Sequence, residues 1–219
     1  MGNSDLMRYV DHTLLKADAD WASIKKLCEE AILYKAASVC VPPCYVKRIK
    51  DEFGTKLTVC TVIGFPLGYS TKDVKVYETK RAVEDGADEV DMVINLTDVK
   101  NGLFDLVEEE IREIKAAVGE RILKVIVETC YLTEEEKIKL CHCVTAAGAD
   151  YIKTSTGFGT KGAVLSDVEL FKKNIGENVK IKASGGIRSK EEMERFIDAG
   201  AERIGTSSAV KFLNEKKEE

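Results

Sequence analysis

Short continuous apolar runs alternate along the chain with longer stretches in which apolar residues recur at helical spacing. The runs at 37–41, 57–63, 89–94, 122–127 and 179–183 predict buried strands, and shorter ones are predicted at 9–12, around 151–153 and at 202–205. Between them, Ile24, Leu27, Ala31 and Tyr34 trace one face of a helix that Asp20 caps. Further helices are predicted at 45–53, 71–86, 105–118, 133–147, 166–174 and 189–199, and one opening at Thr206-Ser207-Ser208. Thr133-Glu134-Glu135-Glu136 fits a capping box. Pro42-Pro43 and Gly64-Phe65-Pro66-Leu67-Gly68 close their strands as loops.

The unit repeats. Gly86-Ala87-Asp88, Gly148-Ala149-Asp150 and Gly200-Ala201-Glu202 all sit where a helix hands over to the next strand. Near-continuous apolar strands joined by helices imply a parallel sheet buried on both faces. About eight such units in this length point to one closed (β/α)8 TIM barrel, of the α/β class, spanning residues 1–219 as a single domain. The rival open doubly wound sheet lacks its glycine fingerprint after the first strand.

Composition narrows the class. The 219 residues are 44% hydrophobic and 32% charged, with net charge −5 and no basic footprint for nucleic acid. No apolar run approaches the roughly 20 residues needed to span a bilayer. Met1-Gly2-Asn3-Ser4-Asp5 is not the start of a signal peptide, so a cytoplasmic location is expected. The 7 cysteines include no C-x-x-C pair, which argues against a disulfide framework. Cys141-His142-Cys143 is no metal site, because on a helix the two thiols point about 200° apart.

Charges interrupt strands that should be apolar. Asp91, Lys124, Lys153 and Lys182 lie in four successive strands, mostly toward the carboxyl ends, where barrels of this kind build their active sites. The bland alternative is that each snorkels outward between the helices. Lys153 and Lys182 close consecutive strands, so their amines are expected side by side. Repulsion and burial then lower the pKa of Lys153, and a neutral lysine is a nucleophile toward carbonyl groups. Asp91 is the candidate proton shuttle.

An anion site is expected beside them. Gly185-Gly186 follows the seventh strand and Gly205-Thr206-Ser207-Ser208 the eighth, the two loops between which a phosphate often lies in these barrels. Thr156-Gly157 completes the cradle. The ligand expected is a phosphorylated carbonyl compound.

Taken in order, several segments resemble the deoxyribose-phosphate aldolase family over nearly the whole chain. They are Asp11-His12-Thr13, Cys40-Val41-Pro42-Pro43, Ile63-Gly64-Phe65-Pro66-Leu67-Gly68, Glu89-Val90-Asp91-Met92-Val93-Ile94-Asn95, Leu123-Lys124-Val125-Ile126, Ile152-Lys153-Thr154-Ser155-Thr156-Gly157 and Lys182-Ala183-Ser184-Gly185-Gly186-Ile187-Arg188. The resemblance implies that Lys153 forms the Schiff base, that Lys182 perturbs it and that Asp91 relays protons. It implies that Lys124 and Cys40 line the substrate pocket. It also implies reversible cleavage of 2-deoxy-D-ribose 5-phosphate to glyceraldehyde 3-phosphate and acetaldehyde without metal or organic cofactor, by a homodimer or homotetramer. The mechanism put together from these parts, an imine on Lys153 with Asp91 and Lys182 moving protons, places the break at C3–C4. Asp11 and His12 read equally as bonds at the barrel rim, and Lys124 as a structural partner of Asp91. Some members of the family end in a tyrosine that assists proton transfer; here the last residues, 214–219, carry none. The rivals are a phosphate-binding barrel isomerase with no covalent step and a silent sugar-phosphate binder.

Overall fold

A computed structural model describes residues 2–214. The strands are β1 Val10–Thr13, β2 Ser38–Val41, β3 Val59–Ile63, β4 Glu89–Val93, β5 Ile122–Ile126, β6 Tyr151–Lys153, β7 Lys180–Ser184 and β8 Arg203–Thr206. Every neighbouring pair is parallel, and β8 returns to β1 to close the barrel. The helices are α1 Asn3–Met7, α2 Trp21–Tyr34, α3 Val46–Phe53, α4 Lys72–Glu84, α5 Leu96–Lys100, α6 Phe104–Val118, α7 Glu134–Ala146, α8 Leu165–Asn174, α9 Lys190–Ala199 and α10 Ala209–Asn214.

The strands are buried on both faces, which is why they read as continuous apolar runs rather than alternating ones. Their outward side chains, among them Val90, Met92, Val125 and Ile152, join the apolar faces of the helices in one core. Helix starts follow local chemistry. Asp20 accepts the Ser23 N–H at 2.9 Å, and Ser189 accepts the Glu192 N–H at 3.1 Å. Thr133 and Glu136 form the reciprocal capping box, with bonds of 2.7 and 3.2 Å.

The repeated Gly-Ala-Asp has a physical basis. Asp88, just before β4, accepts the N–H of Val59 at the head of β3 and the ammonium of Lys50 from α3. Asp150, just before β6, does the same for Leu123 of β5 and Lys115 of α6. Each carboxylate thus satisfies a strand-end donor at the barrel floor and ties in the preceding helix.

Three differences from the expected elements stand out. β1 begins one residue later and takes in Thr13. The helix expected at 45–53 is a 3-10 turn over Pro43–Tyr45 followed by α3. A short helix, α5, follows β4, because Asn95 caps it through the Thr97 N–H. On the outside of the barrel, Lys75 of α4 and Glu110 of α6 form a buried ion pair at 2.8 Å, and Lys75 also donates to the Val93 carbonyl at the end of β4.

Candidate active site

The barrel interior is where this chain departs from an ordinary apolar fill. Asp11, Asp91, Lys124 and Lys182 are each fully buried, and Lys153 is 3% exposed. Lys153 and Lys182 are register partners on β6 and β7, as are Asp91 and Lys124 on β4 and β5. The side chains meet across the barrel axis. Lys153 and Lys182 each place their Nζ 2.6 Å from the same Asp91 oxygen, Oδ2. The other oxygen, Oδ1, takes the Lys124 ammonium at 3.0 Å and the Cys60 thiol at 3.0 Å.

A second carboxylate completes the network. Asp11 accepts a short bond from Lys182, one from the Ser38 hydroxyl at 2.7 Å and one from Arg203 at 2.6 Å. Glu89 sits below, 2.5 Å from Lys124 and 3.1 Å from Arg203. Burial alone pushes buried carboxyls up. At Asp91 the three lysines outweigh it, and at Asp11 Lys182, Lys124 and Arg203 do, so both are held well below the usual carboxylate range. Burial likewise lowers Lys182 and Lys124, but the surrounding carboxylates outweigh it and hold both above the ordinary lysine value. The carboxylates around Lys182 thus favour its charged form.

Lys182 and Lys153 bond the same Asp91 oxygen, so the two amines lie near each other, as expected, and Lys182 is also committed to Asp11. An amine, a carboxylate and a second ammonium in mutual contact suit proton transfer to and from the amine.

Lys153 lies where this network meets a cavity of about 240 Å³ at the carboxyl ends of the strands. The wall is built from residues 13–16, 156–158, 184–188 and 205–208. Thr156, Gly157, Gly185, Gly186, Gly205, Ser207 and Ser208 all lie in it, in the loops where an anion site was expected. Gly185 and Gly186 have φ of +87° and +78°, a pair of left-handed residues of the kind that glycine adopts without strain. The Thr206 hydroxyl donates to the Ile187 carbonyl at 2.9 Å and ties the last two loops together. At Gly205 a Cβ would fall 2.8 Å from the Ser184 Cβ and 3.3 Å from the Lys182 Cε, so the missing side chain also makes room for the lysine stem.

Lys124 and Cys40 are not in the cavity wall. Both are fully buried; Lys124 anchors Asp91 from below, and Cys40 packs with Cys60 and Val62 beneath Leu15 and Phe65. His12 faces the helices and meets Glu30 at 2.8 Å, while its neighbour Asp11 points into the barrel instead of bonding at the rim. Residues 215–219, where the terminal tyrosine is lacking, lie outside the described residues. Cys141 and Cys143 are buried free thiols. Two clusters, Cys40/Cys60/Asp91 and Asp11/Cys60/Glu89, bring donor atoms within 4.8 Å of one another, but lysine ammonium groups already hold their carboxylates and oppose a metal cation.

Sequence reasoning passed over Ser38, Cys60, Glu89, Arg203 and Glu128. Glu89 and Arg203 open their strands, where a charge reads as a boundary. Glu128 follows the apolar run of β5 with φ +54°, and its buried carboxylate accepts the N–H and hydroxyl of Thr156. No spacing pattern announces it.

Fold and site together define a (β/α)8-barrel enzyme built for carbonyl chemistry at a buried amine. The chain belongs to the DeoC/LacD family aldolases, whose model matches residues 6–210. It is 60% identical over 213 residues to the deoxyribose-phosphate aldolase of Clostridium botulinum (97% of this chain, 96% of the relative). It is 57% identical to that of Clostridioides difficile (95% of each). Among solved structures, the barrel superposes with a TM-score of 0.92 on an aldolase designated QR15, at 43% identity, covering 96% of this chain and 95% of that one. The deoxyribose phosphate aldolase of Aeropyrum pernix, described as a unique tetramer, gives 0.88 at 34% identity, covering 97% and 91%.

Proposed function

We propose that this chain is a class I aldolase that reversibly cleaves 2-deoxy-D-ribose 5-phosphate to D-glyceraldehyde 3-phosphate and acetaldehyde through a Schiff base on Lys153. One observation carries the assignment of the amine: the Lys153 Nζ lies at the floor of the glycine-walled cavity, 2.6 Å from Asp91. Lys153 passes a proton to Asp91 and attacks the open-chain aldehyde carbon; Asp91 gives that proton to the departing hydroxyl, so loss of water leaves an iminium and an ionised Asp91. The expected break at C3–C4 is corrected by the carbon count of the products. Acetaldehyde takes C1 and C2, so the C2–C3 bond breaks as a proton leaves the C3 hydroxyl for Asp91. The bonding pair flows into the iminium and leaves an enamine, which protonation and hydrolysis release as acetaldehyde.

Lys124 and Lys182 keep Asp91 ionised between these transfers, and Lys124 with Cys60 fixes its orientation. The loops after β6, β7 and β8 hold the phosphate, so that part of the barrier is met by positioning. Residues 1–219 act as one domain with no cofactor in the scheme. By analogy with the A. pernix tetramer, the assembly is a homodimer or homotetramer, which light scattering tests. Seven free thiols suit a reducing cytoplasm, and no helix among the described residues is long and apolar enough to cross a membrane.

Borohydride reduction in the presence of deoxyribose phosphate tests the central step. The expected result is an irreversible mass adduct that maps to Lys153 and is absent from Lys153→Met. Turnover without an adduct would leave the isomerase reading standing, and neither turnover nor adduct the binder.

A further inference from the structure

Glu128 occupies a backbone conformation that non-glycine residues rarely adopt, with φ +54° and ψ +66°, and only 2% of it is exposed. Such strain persists where the surroundings hold it in place, and it gathers at functional sites. The carboxylate turns beneath the loop that follows Lys153. The Thr156 N–H reaches both of its oxygens at 3.3 Å. Burial pushes the Glu128 carboxyl above its ordinary value, and the bonds from Thr156 together with the nearby Lys153 oppose that rise. The Thr156 hydroxyl donates its single proton to Oε2 in a short bond. One lone pair of that hydroxyl is taken by the Phe158 N–H at 3.0 Å. The hydroxyl keeps one lone pair and no donor, on a residue that joins the cavity wall.

We propose that Glu128 is a positioning residue that orients the Thr156 hydroxyl as a hydrogen-bond acceptor, so that this part of the wall selects a hydroxyl of the substrate chain and not its phosphate. The assignment rests on the aldolase reading above. There the C3 hydroxyl faces Asp91, which leaves the C4 hydroxyl for Thr156. In the synthetic direction this is the hydroxyl beside the aldehyde of the acceptor. It also revises the expected anion cradle: Thr156 gives it neither its N–H nor its O–H.

The test compares two acceptors, D-glyceraldehyde 3-phosphate and 3-oxopropyl phosphate, which lacks that hydroxyl, with acetaldehyde as donor. Wild-type protein is expected to prefer the hydroxylated acceptor in kcat/KM. Glu128→Gln loses one acceptor oxygen and lets the hydroxyl turn, and its preference is expected to fall by about three- to tenfold, the scale of one hydrogen bond between neutral groups. Thr156→Val removes the hydroxyl and should lose the same preference, Thr156→Ser should keep it, and the double variant Glu128→Gln/Thr156→Val should be no worse than Thr156→Val alone. Because Thr156→Val and Thr156→Ser leave Glu128 in place, the comparison stands even where Glu128→Gln does not fold. An unchanged preference in Glu128→Gln or Thr156→Val, or an equal loss for both acceptors, overturns the proposal. Borohydride trapping of acetaldehyde on Lys153 separates the two readings. Its absence in wild type sinks the aldolase reading, whereas intact trapping with an unchanged preference sinks only the role of Glu128.

Discussion

Lys182 lies 2.6 Å from Asp91, on the same carboxylate oxygen that holds Lys153. The two amines can therefore be no farther apart than twice that distance. Lys182 adds to the charge of Lys124 and Lys153 that keeps Asp91 ionised, so under the proposed mechanism its removal acts on proton transfer. In Lys182→Met, kcat is expected to fall by at least about a hundredfold, the range of general acid–base effects. Because the substitution also strips Asp11 and Asp91 of a shared cation inside the barrel, the melting temperature should drop with it. Steady-state kinetics at a temperature where the variant is folded checks the first effect, and calorimetry the second. Wild-type turnover in that variant would refute the role.

Asp11 gives a prediction in pH. Its folded pKa lies below the reference value of 3.8 because Lys182, Lys124 and Arg203 outweigh burial. A depressed carboxyl contributes stability that is fully present above the unfolded pKa and is lost as pH falls through that value toward the folded one. Asp11→Asn should therefore be less stable than wild type at pH 7, by about 3–5 kcal/mol for a broken buried pair. The gap should narrow as the pH drops below about 4. Urea unfolding at a series of pH values measures both. A gap that stays constant into acid would count against the ion pairs.

His12 is one residue away and predicts the opposite. Its ring meets Glu30 on the outside of β1, and its Nδ1 is buried without a partner. His12→Leu removes that unsatisfied atom along with the Glu30 contact and touches nothing in the cavity. Activity is expected to stay within about twofold of wild type, since the buried ring lies on the helix side of β1 and meets Glu30 instead of the cavity. A large loss of kcat would show that the Asp11-His12-Thr13 segment serves chemistry through His12 as well as Asp11.

The contrast between these neighbours explains what was legible in the chain. Strands such as β4 and β5 could be read because burial on both faces leaves an uninterrupted apolar run, and Asp91 and Lys124 announced themselves by breaking it. β1 is only four residues, with polar side chains on both faces, so nothing in Val10-Asp11-His12-Thr13 says which of its polar residues turns inward. The glycine loops were readable because a positive φ leaves a trace in composition. Lys124 and Cys40 carry the right chemistry for a pocket wall, but their height in the barrel depends on strand stagger, which no single strand encodes. Glu128 was invisible for a related reason: its partner, Thr156, lies 28 residues on.

The outer layer holds a test of packing separate from catalysis. Lys75 is fully buried, and it meets Glu110 at 2.8 Å. Burial pulls the Lys75 ammonium down and pushes the Glu110 carboxyl up, so each ion relies on the other. Glu110→Leu should cost about 3–5 kcal/mol by stranding a buried ammonium. The double variant Lys75→Met/Glu110→Leu should recover most of that loss, as apolar replacements of buried pairs often do. Chemical denaturation of the three variants measures the coupling, and additive losses would show that the pair is not coupled.

Gly162 offers the sharpest test of the cavity wall. It is not in the left-handed region, so backbone freedom does not require a glycine there. Close approach does: a Cβ at this position would fall 2.1 Å from the Gly185 oxygen and 2.4 Å from its carbonyl carbon. Those are main-chain atoms of the loop that follows β7, which no rotamer change can move aside. The Ala163 N–H also donates to the Ser184 and Gly185 carbonyls at 3.1 Å, so the segment behind the wall is pinned against it. Gly162→Ala must push Gly185 and Gly186 out of position while leaving Lys153, Asp91 and Lys182 on their strands. KM for the phosphorylated sugar is expected to rise by about tenfold or more, because positioned backbone donors lose their geometry steeply with displacement. Trapping of acetaldehyde by borohydride, which needs only the amine, is expected to continue at the wild-type rate. A variant with an unchanged KM would mean that the loop after β7 does not hold the phosphate, and a variant that also lost trapping would mean that the wall and the amine are one cooperative unit.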